Sequence, residues 1–395
     1  MFLSEVLLVI AIVLVLATLP LLAELLVLTM AALLPEARAR DRKAGLELHS
    51  LSILVPAHNE EALVGRCIRS VRASAGSGAD VLVVAHNCTD ATAAVAEAAG
   101  ARVLVLDDPG QTGKGCALSY GFAALLAGAS QAVLVVDADS VVDSELVATV
   151  QHRFLTGARA LQCRYEVYNS QDSQRTKLMS LAFFAANVIR PRGRARLGLS
   201  AGILGNGFAL HRDLLMRIPY SAHSVVEDLE YHLALVRADI RVEFIDTVAV
   251  RGEMPVTAKG ARAQRARWEG GRLRIMRRWA PELMAGVLRG RVRQIEPLLD
   301  LWALPIASEV ILLLVAACLP ALWLRFYALA AFAVLIFHVS AAAIRGPGFW
   351  RTMKALSTVP AYILWKLWIF PEIWRASRAN AAWVRAARET SADGQ

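Results

Sequence analysis

Ala132-Val133-Leu134-Val135-Val136-Asp137-Ala138-Asp139 places five apolar residues directly before two carboxylates at i and i+2. An apolar run of this length without polar alternation has the pattern of a strand buried on both faces, as in a parallel sheet covered by helices. Working outward, Leu51 to Pro56, Val81 to Ala85 and Arg102 to Leu106 repeat the pattern, and amphipathic helical stretches lie between them. Strands alternating with helices predict an α/β domain over residues 50–255, a doubly wound, mostly parallel sheet. Ligands of such sheets bind beyond the C-terminal strand ends, so the residues that follow each run are the ones to read for chemistry.

After the first run come Pro56, Ala57, His58, Asn59, Glu60 and Glu61; after the second, His86, Asn87, Cys88, Thr89 and Asp90; after the fourth, Asp137 and Asp139. Carboxylates at i and i+2 on a strand leaving its sheet reach one hard cation together, and Mg²⁺ or Mn²⁺ bridging to a diphosphate suits that donor set. The same pair also makes a turn or caps the helix after Ser140. Asn87 to Asp90 reads as a helix cap, a role compatible with ligand contact. Gly113-Lys114-Gly115 lacks the leading glycine and the following Ser or Thr of a Walker loop, so Lys114 is either a phosphate contact at a helix start or a solvated lysine.

Glu227 and Asp228 open a helical pattern, where the helix dipole alone favours carboxylates. The chemical reading makes Asp228 a general base, because transfer to a hydroxyl needs its proton removed. Gln264, Arg267 and Trp268 share one helical face at i, i+3 and i+4. That face serves either lipid headgroups or a leaving diphosphate and a sugar ring.

The chain of 395 residues carries a formal charge of +9, and its apolar excess sits at the two ends. Its arginines cluster beside apolar segments, which points to anionic lipid headgroups as partners and away from nucleic acid. The five cysteines show no CxxC and read as reduced thiols in a cytoplasmic domain. Residues 1–34 predict a retained transmembrane anchor, and Arg38, Arg40, Arg42 and Lys43 put the next domain in the cytoplasm. Residues 256–296 predict basic interfacial helices. Within 298–345 a transmembrane hairpin is expected, with spans from Leu298 to Trp323 and Phe326 to Ile344 returning to Arg345, Arg351 and Lys354. Residues 355–390, interrupted by Pro360, Lys366 and Pro371, predict an interfacial or re-entrant helix with a basic tail.

Val55-Pro56-Ala57-His58-Asn59-Glu60-Glu61, Asn87 to Asp90, Asp137-Ala138-Asp139, Glu227-Asp228 and Gln264 to Trp268, in that order, resemble the family 2 glycosyltransferases. The resemblance is to membrane-anchored members related to cellulose, chitin and hyaluronan synthases, and it covers roughly residues 50–280. It implies a GT-A fold and inverting transfer from a UDP- or GDP-sugar to a lipid or glycan acceptor at the cytoplasmic face of the inner membrane. By the same resemblance Asp137 contacts the donor, Asp139 holds the metal and Asp228 is the base. Pro56, Asn59, Glu60 and Asp90 would cradle the nucleotide, with Lys114 beside them. Gln264, Arg267 and Trp268 would close over diphosphate and acceptor, while Gly205, Asn206, Gly207 and Glu227 would lie on the acceptor side. Ala85-His86-Asn87 departs from the acidic stretch that meets the nucleobase in many relatives.

Overall fold

The computed structural model describes residues 2–35, 50–76, 80–222, 224–346 and 356–378. Arg38, Arg40, Arg42 and Lys43, together with Arg351, Lys354 and the tail beyond 378, lie outside the described residues.

The four apolar runs form strands β1 (Leu51–Ala57), β2 (Asp80–His86), β3 (Arg102–Leu106) and β4 (Ala132–Val135). They are followed by β5 (Ser140–Val142), β6 (Ala160–Val167), β7 (Phe208–His211) and β8 (Glu243–Gly252). All eight join one sheet in the order β3-β2-β1-β4-β7-β6-β8-β5. The first four pair in parallel, as the sequence predicts, with Ile53 beside both Val81 and Leu134. Beyond β4 the sheet is mixed: β7 runs antiparallel to β4 and β6, β8 parallel to β6, and β5 antiparallel to β8. These reversals place the site loops. Because β7 runs against β4, Val135 faces Phe208 and the entering loop Gly205 to Gly207 lies beside Asp137. Because Ser140 pairs with Gly252, Glu253 leaves the sheet near Asp139.

Within the sheet domain the helices are α2 (Val64–Ala75), α3 (Thr92–Ala98), α4 (Lys114–Ala127), α5 (Leu146–Leu155), α6 (Gln174–Phe184), α7 (Arg190–Arg196), α8 (Arg212–Arg217) and α9 (Glu227–Arg237), after an N-terminal α1 (Phe2–Leu33). Side-chain alternation along buried strands sends Ile53, Val55 and Leu134 to one face, against Ile68, Leu146 and Phe154. Leu54, Val133 and Val135 go to the other, against Leu118 and Phe122. Both faces are covered, so β1 is buried along its whole length.

Among the described residues five further helices follow: α10 (Ala258–Leu288), α11 (Ile295–Trp302), α12 (Ile306–Cys318), α13 (Leu322–Arg345) and α14 (Val359–Arg378). Among the described residues two segments, Glu5–Leu33 and Leu322–Arg345, are long and apolar enough to cross a membrane, and a third qualifies only if the bent pair Val292–Trp302 and Ile306–Cys318 counts as one span. The segment expected as a span from Leu298 to Trp323 is bent in the structure. The chain turns by 76° at Ala303-Leu304-Pro305, where proline lacks a backbone donor and disfavours helix at the residue before it. In contrast α14 continues through Pro371 as a single helix. Its buried stripe of Lys366, Ile369, Ile373 and Ser377 recurs at helical spacing. Lys366 pairs with Glu269 at 2.6 Å, Arg262 pairs with Glu372, and a Cβ at Gly270 would touch Ala376, so α14 is strapped along α10.

α7 crosses α1 at backbone contact, since a Cβ on Gly193 would overlap the Leu28 carbonyl. Gly193→Ala is expected to lower stability by roughly 1–3 kcal/mol, as overpacking against immovable backbone does. Denaturant unfolding in detergent measures it, and an unchanged midpoint would contradict the close crossing.

Candidate active site

Asp137 lies just beyond the end of β4, after Val136, and its backbone N–H donates to the Asn206 side-chain oxygen at 3.1 Å. Asn206 is wholly buried and its amide nitrogen donates to Ser140 Oγ at 2.8 Å, while Ser140 Oγ donates to Asp139 at 3.1 Å. Beneath it, buried Gln162 donates to the Asn206 carbonyl at 2.8 Å and accepts from the Leu204 N–H at 2.9 Å. Two buried amides thus lock the acidic turn to the 204–207 loop. Gln162 was missed in the sequence, where its only signal is one amide in the apolar start of β6.

On the opposite side Arg66 donates to the Asp139 carbonyl at 3.3 Å and to Glu253 at 2.7 Å, and stacks over Tyr168 at 4.4 Å. Lys114 is the first residue of α4, following Gly113, and its ammonium donates to the Gly205 carbonyl at 2.6 Å while pairing with Asp137. Burial pulls the Lys114 pKa down, but the charges of Asp137 and Glu227 outweigh it and the net shift is upward. Burial pushes Asp137 up to about 6, with the lysine opposing.

Glu227 and Asp228 begin α9, a first turn that carries three acidic residues. Burial, aided by the Asp228 charge, pushes Glu227 up to about 7. Burial also raises Asp228, whose Oδ1 accepts from the Leu229 N–H at 2.8 Å. Gly205 approaches the same carboxylate: it has φ +79°, and a Cβ there would sit 2.9 Å from Asp228 Oδ2. Gly205→Ala is expected to reduce kcat by about tenfold or more, since both the left-handed backbone and the carboxylate position would be disturbed. Wild-type turnover in a folded variant would show that the spacing is immaterial.

α10 presents Gln264, Arg267 and Trp268 to the same space, and Trp268 packs on Phe183 with ring centroids 5.9 Å apart. The result is one cavity of about 900 Å³. It brings together Pro56, Glu60, Lys114, Asp137, Asp139, Gly205, Glu227, Asp228, Gln264, Arg267 and Trp268. Asn59, Asp90, Asn206 and Gly207 do not line it. Asn59 accepts from the Thr89 N–H at 2.7 Å, and Asp90 accepts from Glu61 and Thr92, so these two stitch the first loop to the second. His58 and His86, quoted after the strand ends without a role, do line the cavity. The His86 ring lies 2.9 Å from the Gln111 carbonyl, and burial lowers its pKa.

The residues fit a hard divalent cation shared with a substrate. Among the described residues no three His, Cys, Asp or Glu side chains gather into a metal site. Asp137 and Asp139 supply two carboxylates at one cavity wall, and Mg²⁺ characteristically takes one or two carboxylates with phosphate oxygens completing the shell. The Asp137 carboxylate is buried and already holds one cation, the Lys114 ammonium at Oδ1.

Residues 49–271 match the family described as "Glycosyltransferase like family 2". A probable glycosyltransferase YdaM from Bacillus subtilis is 23% identical over 236 residues, which cover 57% of this chain and 56% of that protein. The match therefore spans little more than half of that relative's length. The mannosyltransferase PcManGT from Pyrobaculum calidifontis, solved with GDP-Man and Mn²⁺, superposes with a TM-score of 0.55 at 18% identity, covering 91% of this chain and 99% of that one. That likeness shows a shared GT-A-like fold.

Proposed function

Because the chain belongs to the glycosyltransferase-like family 2, we propose that it moves a sugar from a nucleotide-sugar donor to a hydroxyl acceptor at the cytoplasmic face of the inner membrane. The observation that carries this reading is the convergence of an acidic pair, a buried lysine, a second buried carboxylate pair and an amide-guanidinium-indole face on one cavity.

In this reading the nucleotide lies along Pro56, Glu60 and the start of α4, between His58 and His86. The donor is a UDP- or GDP-sugar. Asn59 and Asp90 act from behind, holding the first two loops in register. Asp137 and Asp139 would hold Mg²⁺ or Mn²⁺, which when bound neutralises charge on the diphosphate. Lys114 and Arg267 flank the leaving group with fixed positive charge. Asp228 takes the acceptor proton while the acceptor oxygen bonds to the anomeric carbon. The bond from that carbon to the diphosphate oxygen breaks, and its electron pair leaves with the nucleoside diphosphate. One displacement inverts the anomeric centre.

α1 and α13 would anchor the enzyme in the membrane, α10 and α14 would lie at its surface, and the acceptor would be lipid or glycan. Exposed Leu364, Leu367, Trp368 and Phe370 on α14 support that placement.

Turnover requires ionised Asp228, and burial raises its pKa, so activity is lost as pH falls through the raised value. The acid limb of kcat is expected above the ordinary carboxylate range of about 4. A limb at ordinary carboxylate pH would remove Asp228 from the role. The reading as a whole is tested by incubating the full chain with labelled sugar nucleotides, Mg²⁺ or Mn²⁺ and membrane lipid extract. A metal-dependent product identified by mass is expected, and no consumption of any donor would contradict it.

A further inference from the structure

Helix α10 meets the cavity on one side and α14 on the other, and one ion pair joins the two. Gln264, Arg265, Arg267, Trp268 and Glu269 of α10 all line the cavity. Glu269 looks both ways, because its carboxylate also accepts from the Lys366 ammonium of α14 at 2.6 Å. Both side chains are largely buried, with 5% of Lys366 and 12% of Glu269 exposed. One turn earlier on α10, Arg265 Nε lies 3.9 Å from the same carboxylate, and the far end of its guanidinium meets Met179 Sδ of α6 at 3.3 Å. α6 also carries Phe183, on which Trp268 packs. Lys366, Glu269, Arg265 and Met179 therefore tie α14, α10 and α6 together, directly beside the face that the transfer reaction uses.

Among the described residues nothing covers the opposite side of α14, and that side is apolar. Leu364, Leu367, Trp368 and Trp374 recur at helical spacing and are exposed, with Phe370 at their border. Trp368 is 63% exposed although the Arg262 guanidinium of α10 lies 4.2 Å from its ring centre. Arg375 and Arg378 follow in the last turn, both exposed. Tryptophans on an apolar face that ends in arginines match the zone where acyl chains give way to anionic headgroups. The fold also sets α14 next to the apolar segments, since it packs beside α12 of the bent pair.

We propose that Lys366 is a positioning residue: through its pair with Glu269, an anionic bilayer surface that seats α14 sets the rotation of α10, and with it the places of Arg267 and Trp268. The inference rests on the transferase reading above and adds to it a dependence on the lipid surface. Successive helical residues point about 100° apart, so holding Glu269 fixes the direction of Trp268 next to it and of Arg267 before that. With Lys366 removed, the ion-pair partner that Glu269 keeps among the described residues is Arg265 at 3.9 Å. Arg262 still pairs with Glu372, and Arg274 still donates to the Ala376 carbonyl at 3.0 Å. α14 therefore stays docked while the restraint on the cavity face is lost.

The experiment places the full chain in nanodiscs of phosphatidylcholine alone or of phosphatidylcholine with phosphatidylglycerol. Both receive Mn²⁺, a labelled sugar nucleotide and the same small amount of membrane lipid extract as acceptor. The parent is expected to turn over about tenfold faster with phosphatidylglycerol. Lys366→Met is expected to fall to the slow rate in both discs while binding donor within about twofold of the parent, and Lys366→Arg is expected to keep the lipid response. Removing one partner of a buried pair leaves the other uncompensated, so a second protein joins Lys366→Met to Glu269→Gln and leaves neither charge alone. The same slow rate, indifferent to lipid, is expected of it. Backbone hydrogen exchange over residues 262–270 gives a readout without turnover: phosphatidylglycerol is expected to slow it in the parent and in neither Lys366→Met protein. A parent indifferent to phosphatidylglycerol in rate and exchange, or Lys366→Met proteins that respond as the parent does, overturns the inference and leaves the transferase reading standing. Equal loss of donor affinity and rate would make Lys366 a plain structural brace, which also overturns it. A parent that consumes no donor in either disc, with its exchange response intact, strikes the transferase reading and leaves the coupling of α14 to α10.

Discussion

Asp228→Asn is expected to bind donor with affinity within about twofold of the parent and to lose about a hundredfold or more in kcat, the contribution a positioned general base makes. The exchange is nearly isosteric, so the Leu229 N–H can keep its acceptor at the position where it now meets Oδ1 at 2.8 Å. What disappears is the ability of the other oxygen, beside Gly205, to take a proton. Loss of one buried negative charge also relieves Glu227, which that charge helps to push up to about 7. The variant should therefore be no less stable than the parent, which makes lost turnover interpretable. Donor titration and single-turnover transfer separate the two effects. Equal loss of binding and turnover would mean that Asp228 holds the donor; full turnover would exclude it as base.

Asp139→Ala is expected to abolish the dependence of donor affinity on Mg²⁺ or Mn²⁺, weakening nucleoside diphosphate binding in the presence of metal by about a hundredfold. In EDTA, parent and variant should bind alike. The argument runs through the turn that carries the residue. Asp137 is already engaged with Lys114, whereas Asp139 is held from its backbone carbonyl by Arg66 and accepts from Ser140. Removing its carboxylate deletes one cation ligand and leaves that backbone clamp in place. Calorimetry with and without metal distinguishes a lost ligand from a collapsed loop, because collapse would also weaken binding in EDTA. Metal-enhanced affinity that survives the substitution would remove the acidic pair from the metal.

Much of this was legible in the sequence for a simple reason. Buried parallel strands are unbroken apolar runs, so β1 to β4 end within a residue or two of where the runs stop, and their polar sequels mark the site edge. The face of Gln264, Arg267 and Trp268 was legible because helical spacing alone aligns it. What sequence could not show depends on which strands lie side by side. The antiparallel pairing of β7 with β4 brings Asn206 to Asp137, yet it turns the Asn206 side chain inward, where it holds the acidic turn. The ion pairs of Arg190 and Arg194 with Glu24, Glu296 and Asp300 were equally hidden, because these five residues are scattered along the chain. In sequence Glu24 is only a flaw in an apolar helix. The bend at Pro305 divided an apolar stretch that length alone presents as one span.

The anomeric configuration of the product, read by NMR from a donor of known configuration, tests the single displacement through Asp228 most directly. Transfer by one attack opposite the departing diphosphate gives a product of inverted configuration. A product that keeps the donor's configuration would contradict the mechanism and the role of Asp228 together.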